Sequence, residues 1–205
     1  ADLDRWFAQN YSADQMGLVV LSNASLDELQ ALVEPLFNQV PNYDIGPAYP
    51  TVPAYTDAQL PAMITSQSQK NAVRLSMSFP VPSTLPHYRT KPEQYISNLL
   101  GHEGEGSLHS LLIQRGWIES LGAGTQSFDR NTSLISATFE LTETGSDHVP
   151  EIMGLFFAYI DRLKSVEPEA WRYTEQSKVA ELAFQFQERG STVGFVYQMA
   201  PRLNE

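Results

Sequence analysis

Four histidines, His87, His102, His109 and His148, are the side chains best suited to acid–base or metal chemistry in this sequence. His102 sits beside two carboxylates in the run Gly101-His-Glu-Gly-Glu-Gly-Ser-Leu108. That run narrowly misses two zinc motifs. His-Glu-x-x-His and His-x-x-Glu-His both need a histidine at position 106, where the chain has glycine. Such motifs work because two ring nitrogens lie one helical turn apart on one face, with a carboxylate near enough to activate water. Gly104 and Gly106 make the stretch a poor helix interior, and His109 falls beyond the next expected helix start. A site from His102, Glu105 and His109 is therefore the weakest reading. Glu103 and Glu105 oppose phosphate but suit an ammonium group, such as a peptide N-terminus. The glycines lack the Gly-Lys-Ser/Thr ending of a phosphate loop. Ser107 reads as a helix cap rather than a nucleophile, since no Gly-x-Ser-x-Gly elbow exists. On residues alone the run is an inter-helix turn, and the chain is assigned no catalytic residue, metal ligand or cofactor of its own.

The composition narrows the partners. Of 205 residues 42% are hydrophobic and 18% charged, the balance of a globular protein. Twenty-four acidic against 13 basic residues give a net charge of −11. That charge repels phosphate backbones and anionic lipid, so neither nucleic acid nor a membrane surface is expected as partner. There are no cysteines, which removes thiolate nucleophiles, disulfides and cysteine-ligated metals and leaves the redox compartment open. The first residues lack a signal-peptide layout and an initiator Met, and read as a mature or excised piece. Localisation is left unassigned.

The elements that must position these residues follow from periodicity. A short amphipathic helix is expected over residues 3–9 and a buried strand over Gly17–Leu21. Ser25 and Glu28 form a capping box for a helix carrying Leu29, Leu32, Val33, Leu36 and Phe37, with Pro35 kinking or shortening it. Prolines, tyrosines and glycine over 40–60 mark a stiff connector and the expected domain boundary. Val73, Leu75, Met77, Phe79 and Val81 alternate as a half-buried strand. Helices follow around Tyr95–Leu100, with Pro92 in the first turn, and Leu108–Leu112, capped by Ser107 and ended by Gly116. Ile135, Ala137, Phe139 and Leu141 form the cleanest strand. Gly145 and Ser146 should open a long helix bearing Val149, Ile152, Met153, Phe156, Ile160 and Leu163. Pro168 should start a last helix with Trp171, Val179, Leu182 and Phe186, closed by Gly190; residues 191–205 show no strong period. Trp117, Trp171 and Phe156 are expected in the core. The order of strands and helix pairs predicts an α+β fold, an antiparallel or mixed sheet with helices on one face.

Ser78-Phe-Pro-Val-Pro82, Tyr95-Ile-Ser-Asn-Leu-Leu-Gly-His-Glu-Gly-Glu-Gly-Ser-Leu108 and Gln114-Arg-Gly-Trp117 together resemble the M16 zinc metallopeptidases, in their pitrilysin and insulin-degrading-enzyme branch. The likeness extends through Asn10-Tyr11, Gly17–Leu21, Phe139–Gly145 and Ala183–Phe186. It implies a partial M16-like domain: residues 1–40 as the terminal strand–helix unit of a first, catalytic domain, 41–57 as a linker, and 58–205 as a truncated second, non-catalytic domain. The family's zinc motif would lie before residue 1, so zinc belongs to the parent protein. In this branch the second domain carries an exosite that anchors the substrate's N-terminal end. By resemblance its positions are His102, Glu103, Gly104, Glu105, Gly106, Ser107 and Leu108, with Thr125, Gln126, Ser127, Phe128 and Asp129 on a second strand. Thr125–Phe128 departs from the family's usual residues. The resemblance implies a region that encloses and anchors peptide for hydrolysis elsewhere; its alternative is an assembly domain of a relative without peptidase activity. The implied partners are peptide substrate and the parent's remaining domains. Residues 1–39 are further expected to dock onto the main sheet, within one chain or by exchange in a homodimer. Some bacterial members of the branch are periplasmic.

Overall fold

The computed structural model describes residues 2–46, 52–56, 58–67, 73–188 and 190–203. In chain order its elements are α1 (Asp2–Asn10), α2 (Leu26–Phe37), β1 (Val73–Pro82), α3 (Pro92–Leu100), α4 (Leu108–Gln114), β2 (Ile118–Ser127), β3 (Thr132–Leu141), a short α5 (Glu143–Ser146), α6 (Val149–Lys164), α7 (Ala170–Gln185) and α8 (Thr192–Arg202). They form two compact units: Ala1–Tyr49 with Phe184–Glu205, and Pro50–Ala183.

In the first unit α2 starts as its sequence dictates. Ser25 Oγ accepts from the Glu28 N–H at 3.3 Å, and the Glu28 carboxylate accepts from the Ser25 N–H at 2.8 Å. The Ser25 N–H and, at 2.8 Å, the Ser25 hydroxyl both donate to the Glu28 carboxylate and hold it below its ordinary range, the backbone N–H contributing most. Pro35 lies inside α2, which ends soon after it at Phe37. Residues 12–15 are tied to 41–46 by a polar knot around the buried Ser12: its hydroxyl donates to Asp14 and accepts from the Tyr43 N–H at 2.8 Å, while Asp14 accepts from the Gly46 N–H at 2.8 Å. The expected strand over 17–21 does not form. Among the described residues that segment joins no ladder, and Leu18, Val20 and Leu21 stay exposed. A strand exists only through its partner's hydrogen bonds, so an apolar run is not sufficient. Likewise α8, capped by the Ser191 hydroxyl, forms where no period was visible.

The second unit is a three-stranded antiparallel sheet, order β1-β3-β2, with helices packed on one face. The register sets Met77 opposite Ala137 and Leu75 opposite Phe139, with Leu121 on the other side of Phe139. These apolar residues meet Leu100, Leu108, Leu112, Ile152 and Phe156 from α3, α4 and α6 in one core. Phe139 and Phe156 are fully buried and touch edge to face, centroids 6.0 Å apart. On the opposite face Arg74 bonds Glu140 (Nε to Oε1, 2.8 Å), Ser76 bonds Thr138 (3.3 Å) and Ser78 bonds Ser136 (2.8 Å). Alternation along each strand thus yields one greasy and one hydroxyl-lined face. Strand β2 carries too few apolar residues between Gly122, Gly124 and its serines for period two to be legible.

Two chain reversals hold the helices on this sheet. Gly116, at φ +67°, ends α4: its N–H reaches the Ile113 carbonyl and the Trp117 N–H reaches Leu112, the paired bonds of a Schellman turn. After β3, Thr142 donates to the Gly116 carbonyl at 2.6 Å and caps α5 by accepting from the Gly145 N–H. Gly145 lies so close to the Trp117 carbonyl that any Cβ would overlap it. Gly145 and Ser146 therefore belong to α5, and α6 begins later, at Val149. Trp171 is 55% exposed beneath the Arg172 guanidinium, a correction to its expected core place.

Candidate functional site

The run Gly101–Leu108 links α3 to α4 and folds tightly back on itself. The Gly101 N–H bonds the Ser97 carbonyl, the Ser107 N–H bonds the Gly104 carbonyl, and Gly106 takes the left-handed conformation at φ +79°. Ser107 is buried and caps α4, its Oγ accepting from the Ser110 N–H at 3.0 Å. Leu108 enters the core. Gly104 leaves room for the His102 ring, whose Nε2 would stand 2.7 Å from a Cβ at that position.

The turn divides two clefts, and His102 lines both. The smaller, about 380 Å³, lies between α3, the turn and β2, and is lined by Ser97, Asn98, His102, Glu103 and the strand residues Leu121–Ala123. The larger, about 1370 Å³ and mostly apolar, lies between α3, α6 and the start of α7, with Glu105, Gly106 and Ser107 at its wall. Tyr159 inside it donates to the Leu99 carbonyl at 3.1 Å, and burial pushes its phenol above the ordinary range. Among the described residues β2 is bonded to β3 alone, so its other edge keeps free N–H and C=O groups. The turn therefore sets an exposed carboxylate, Glu103, beside an unpaired strand edge.

The second set of expected positions lies further along the same strand. Thr125 Oγ1 is 3.4 Å from Ser97 Oγ of α3, and Gln126 and Ser127 finish β2. Phe128 and Asp129 belong to the β2–β3 turn, where the Asp129 carboxylate accepts from the N–H groups of Asn131 and Thr132 at 2.7 Å each. The structure thus joins His102 and Glu103 to Leu121, Gly122 and Ala123, residues the sequence reading had not named. Their signal was present: Gly122 and Gly124 inside a strand mark a place another backbone can approach closely.

The histidines are dispersed. His87 lies in a single helical turn before α3, and His109 sits on α4 with a buried, unpartnered Nδ1. His148 precedes α6, stacked on Trp117 (centroids 4.4 Å apart) and 3.3 Å from Glu151. Among the described residues no group of three or more His, Asp or Glu could hold a metal ion. A resident zinc therefore has no fitting donor set here. Nor is any helix among them long and apolar enough to cross a membrane.

Residues 1–178 match the family profile described as "Peptidase M16 inactive domain". The chain is similar to "Insulin-degrading enzyme-like 1, peroxisomal" of Arabidopsis thaliana, 33% identical over 99% of this chain and 21% of the relative. It is also similar to the "A-factor-processing enzyme" of Saccharomyces cerevisiae, 31% identical over 95% of this chain and 19% of the relative. Among solved structures it resembles pitrilysin, with a TM-score of 0.82 at 23% identity, over 99% of this chain and 22% of that one. The chain spans about a fifth of the length of these proteins.

Proposed function

The chain belongs to the M16 peptidase family, in the part described as its inactive domain, and from that premise we propose that it helps to enclose and anchor peptide for hydrolysis at a zinc site outside it. The family's His-x-x-Glu-His motif does not occur in this sequence, so the chain's own residues bind and orient rather than cleave. Residues 1–40 are assigned to the end of a preceding domain, 41–57 to a linker and 58–205 to the non-catalytic domain. The remaining domains of the parent protein are its covalent partners.

The observation that carries this reading is the free edge of β2 beside the His102–Leu108 turn. An extended peptide adds to such an edge through main-chain hydrogen bonds, which hold it without regard to most of its sequence. Glu103 is exposed and unpaired, placed to meet the peptide's N-terminal ammonium, while Gly104–Ser107 hold the turn's shape. Thr125–Ser127 extend the same edge, and Phe128 and Asp129 close its far end.

The test is fluorescence anisotropy of an unstructured, N-terminally free peptide with the 205-residue chain, alongside zinc analysis and a quenched-peptide cleavage assay. Binding that weakens on N-terminal acetylation, without cleavage, is the expected result. Stoichiometric zinc with cleavage would move the chemistry into this chain. Absence of binding would leave the assembly-domain reading in its place.

A further inference from the structure

We propose that the larger cleft of the second unit binds an apolar carboxylate, a hydrocarbon body ending in one carboxyl group that Arg162 holds beside Tyr159. This goes beyond the edge-anchoring reading, which stands or falls without it.

The cleft, about 1370 Å³, lies between helix faces that leave a gap where they could have packed together. Helix α3 offers Ile96 and Leu99, and α6 offers Tyr159, Ile160 and Leu163 along its apolar stripe. Ile96 is left 42% exposed on this wall. Removing such surface from water is what draws a hydrocarbon in. The walls also decide against a peptide. Backbone N–H and C=O groups along α3 and α6 are spent inside the helices, so an extended chain lying there leaves its amides unpaired. A hydrocarbon body has no such groups to satisfy.

Within this apolar lining, positive charge gathers at Tyr159. Burial pushes its phenol up, and Arg172 and Arg162 are the charges that pull it back. Among the described residues no carboxylate opposes them at that oxygen. Glu105, Glu167 and Glu169 also border the cleft, so the positive field is local to Tyr159 rather than general. Arg172 is partly committed: its Nε donates to the Glu169 carboxylate and its guanidinium lies over Trp171, 4.4 Å from the centroid. Lys164 is paired with Asp161 at 3.3 Å. Arg162 is exposed and its side chain has no partner among the described residues, so its planar fork is free to take a carboxylate through two hydrogen bonds. The Tyr159 hydroxyl already donates to the Leu99 carbonyl at 3.1 Å, so it flanks the carboxylate without being its donor.

Isothermal titration of the intact 205-residue chain with decanoate, 1-decanol and decyltrimethylammonium, each below its micelle concentration, tests this. Decanoate is expected to saturate one site per chain, with 1-decanol about tenfold weaker and the cation not binding there. Arg162→Gln should bring decanoate down to the level of 1-decanol and leave 1-decanol unchanged. Ile96→Trp fills the cleft from an exposed position and should remove both, with circular dichroism confirming that the fold is kept. Equal binding of decanoate and 1-decanol overturns the role of Arg162. Decanoate binding that survives Ile96→Trp, or no saturable binding, overturns the site. Tighter capture of a decapeptide with an apolar, free C-terminus, also lost in Ile96→Trp, overturns the hydrocarbon body.

Discussion

Among single residues, glycines separate backbone necessity from mere tolerance. Gly145 has no room for a Cβ because the Trp117 carbonyl occupies that space, and the Thr142 bonds to Gly116 and Gly145 pin the segment from moving. Gly154 lies exposed in α6 with nothing within 4 Å of its Cβ position. Gly145→Ala is expected to destabilise the protein by about 1–3 kcal/mol or more through forced backbone shift. Gly154→Ala should stabilise it by about 0.5–1 kcal/mol by restricting the unfolded chain. Urea denaturation of the two variants measures both, and equal midpoints would contradict the close approach at Trp117. Neither role is visible in the sequence, where both are simply glycines inside helical pattern.

For a whole element, the start of α2 was readable from Ser25-Leu-Asp-Glu28 alone, because a capping box is local chemistry. It also makes a pH prediction with a definite sign. Glu28 has a lowered folded pKa because the Ser25 N–H and hydroxyl favour its charged form. Its contribution is therefore fully present above the unfolded carboxylate pKa, about 4.3, and is lost as pH falls through the lower folded value. Melting the wild type and Glu28→Gln at neutral and strongly acidic pH tests this. The difference between them is expected at neutral pH and should vanish in acid; a difference that persists unchanged would rule out the cap as its source. Strand β2 is the contrasting element. Its register is imposed by β3, and its own residues carry little apolar alternation to announce it.

Across the whole molecule, burial is concentrated in the second unit. Phe139, Phe156, Leu112 and Ile152 are at most 1% exposed, whereas Leu3, Trp6 and Phe7 of α1 are exposed by half or more. Phe156→Ala should cost about 3–5 kcal/mol by transfer and cavity terms, because Phe79 and Phe139 cannot close around the loss. Phe7→Ala should change stability by less than about 0.5 kcal/mol, since most of that ring is already in water. Chemical denaturation followed by circular dichroism distinguishes the two. A large effect at Phe7 would mean that α1 is covered in solution by a surface these contacts do not include.

The sequence by itself determined the features whose causes are local or periodic. These are the β1 and β3 alternation, the caps at Ser25 and Ser107, the Gly116 stop, and the family-specific turn Gly101–Leu108. From those the α+β class and the M16 membership followed. It left undetermined whatever depends on a distant partner. The apolar run at 17–21 found no neighbouring strand, because a strand's hydrogen bonds are supplied from outside it. Strand β2 formed with scant pattern of its own because β3 offers it a ladder. The cleft joining Glu103 to Leu121–Ala123 exists only because Gly101 lets the end of α3 settle against Ala123. Tertiary packing, not spacing along the chain, chose which residues meet there.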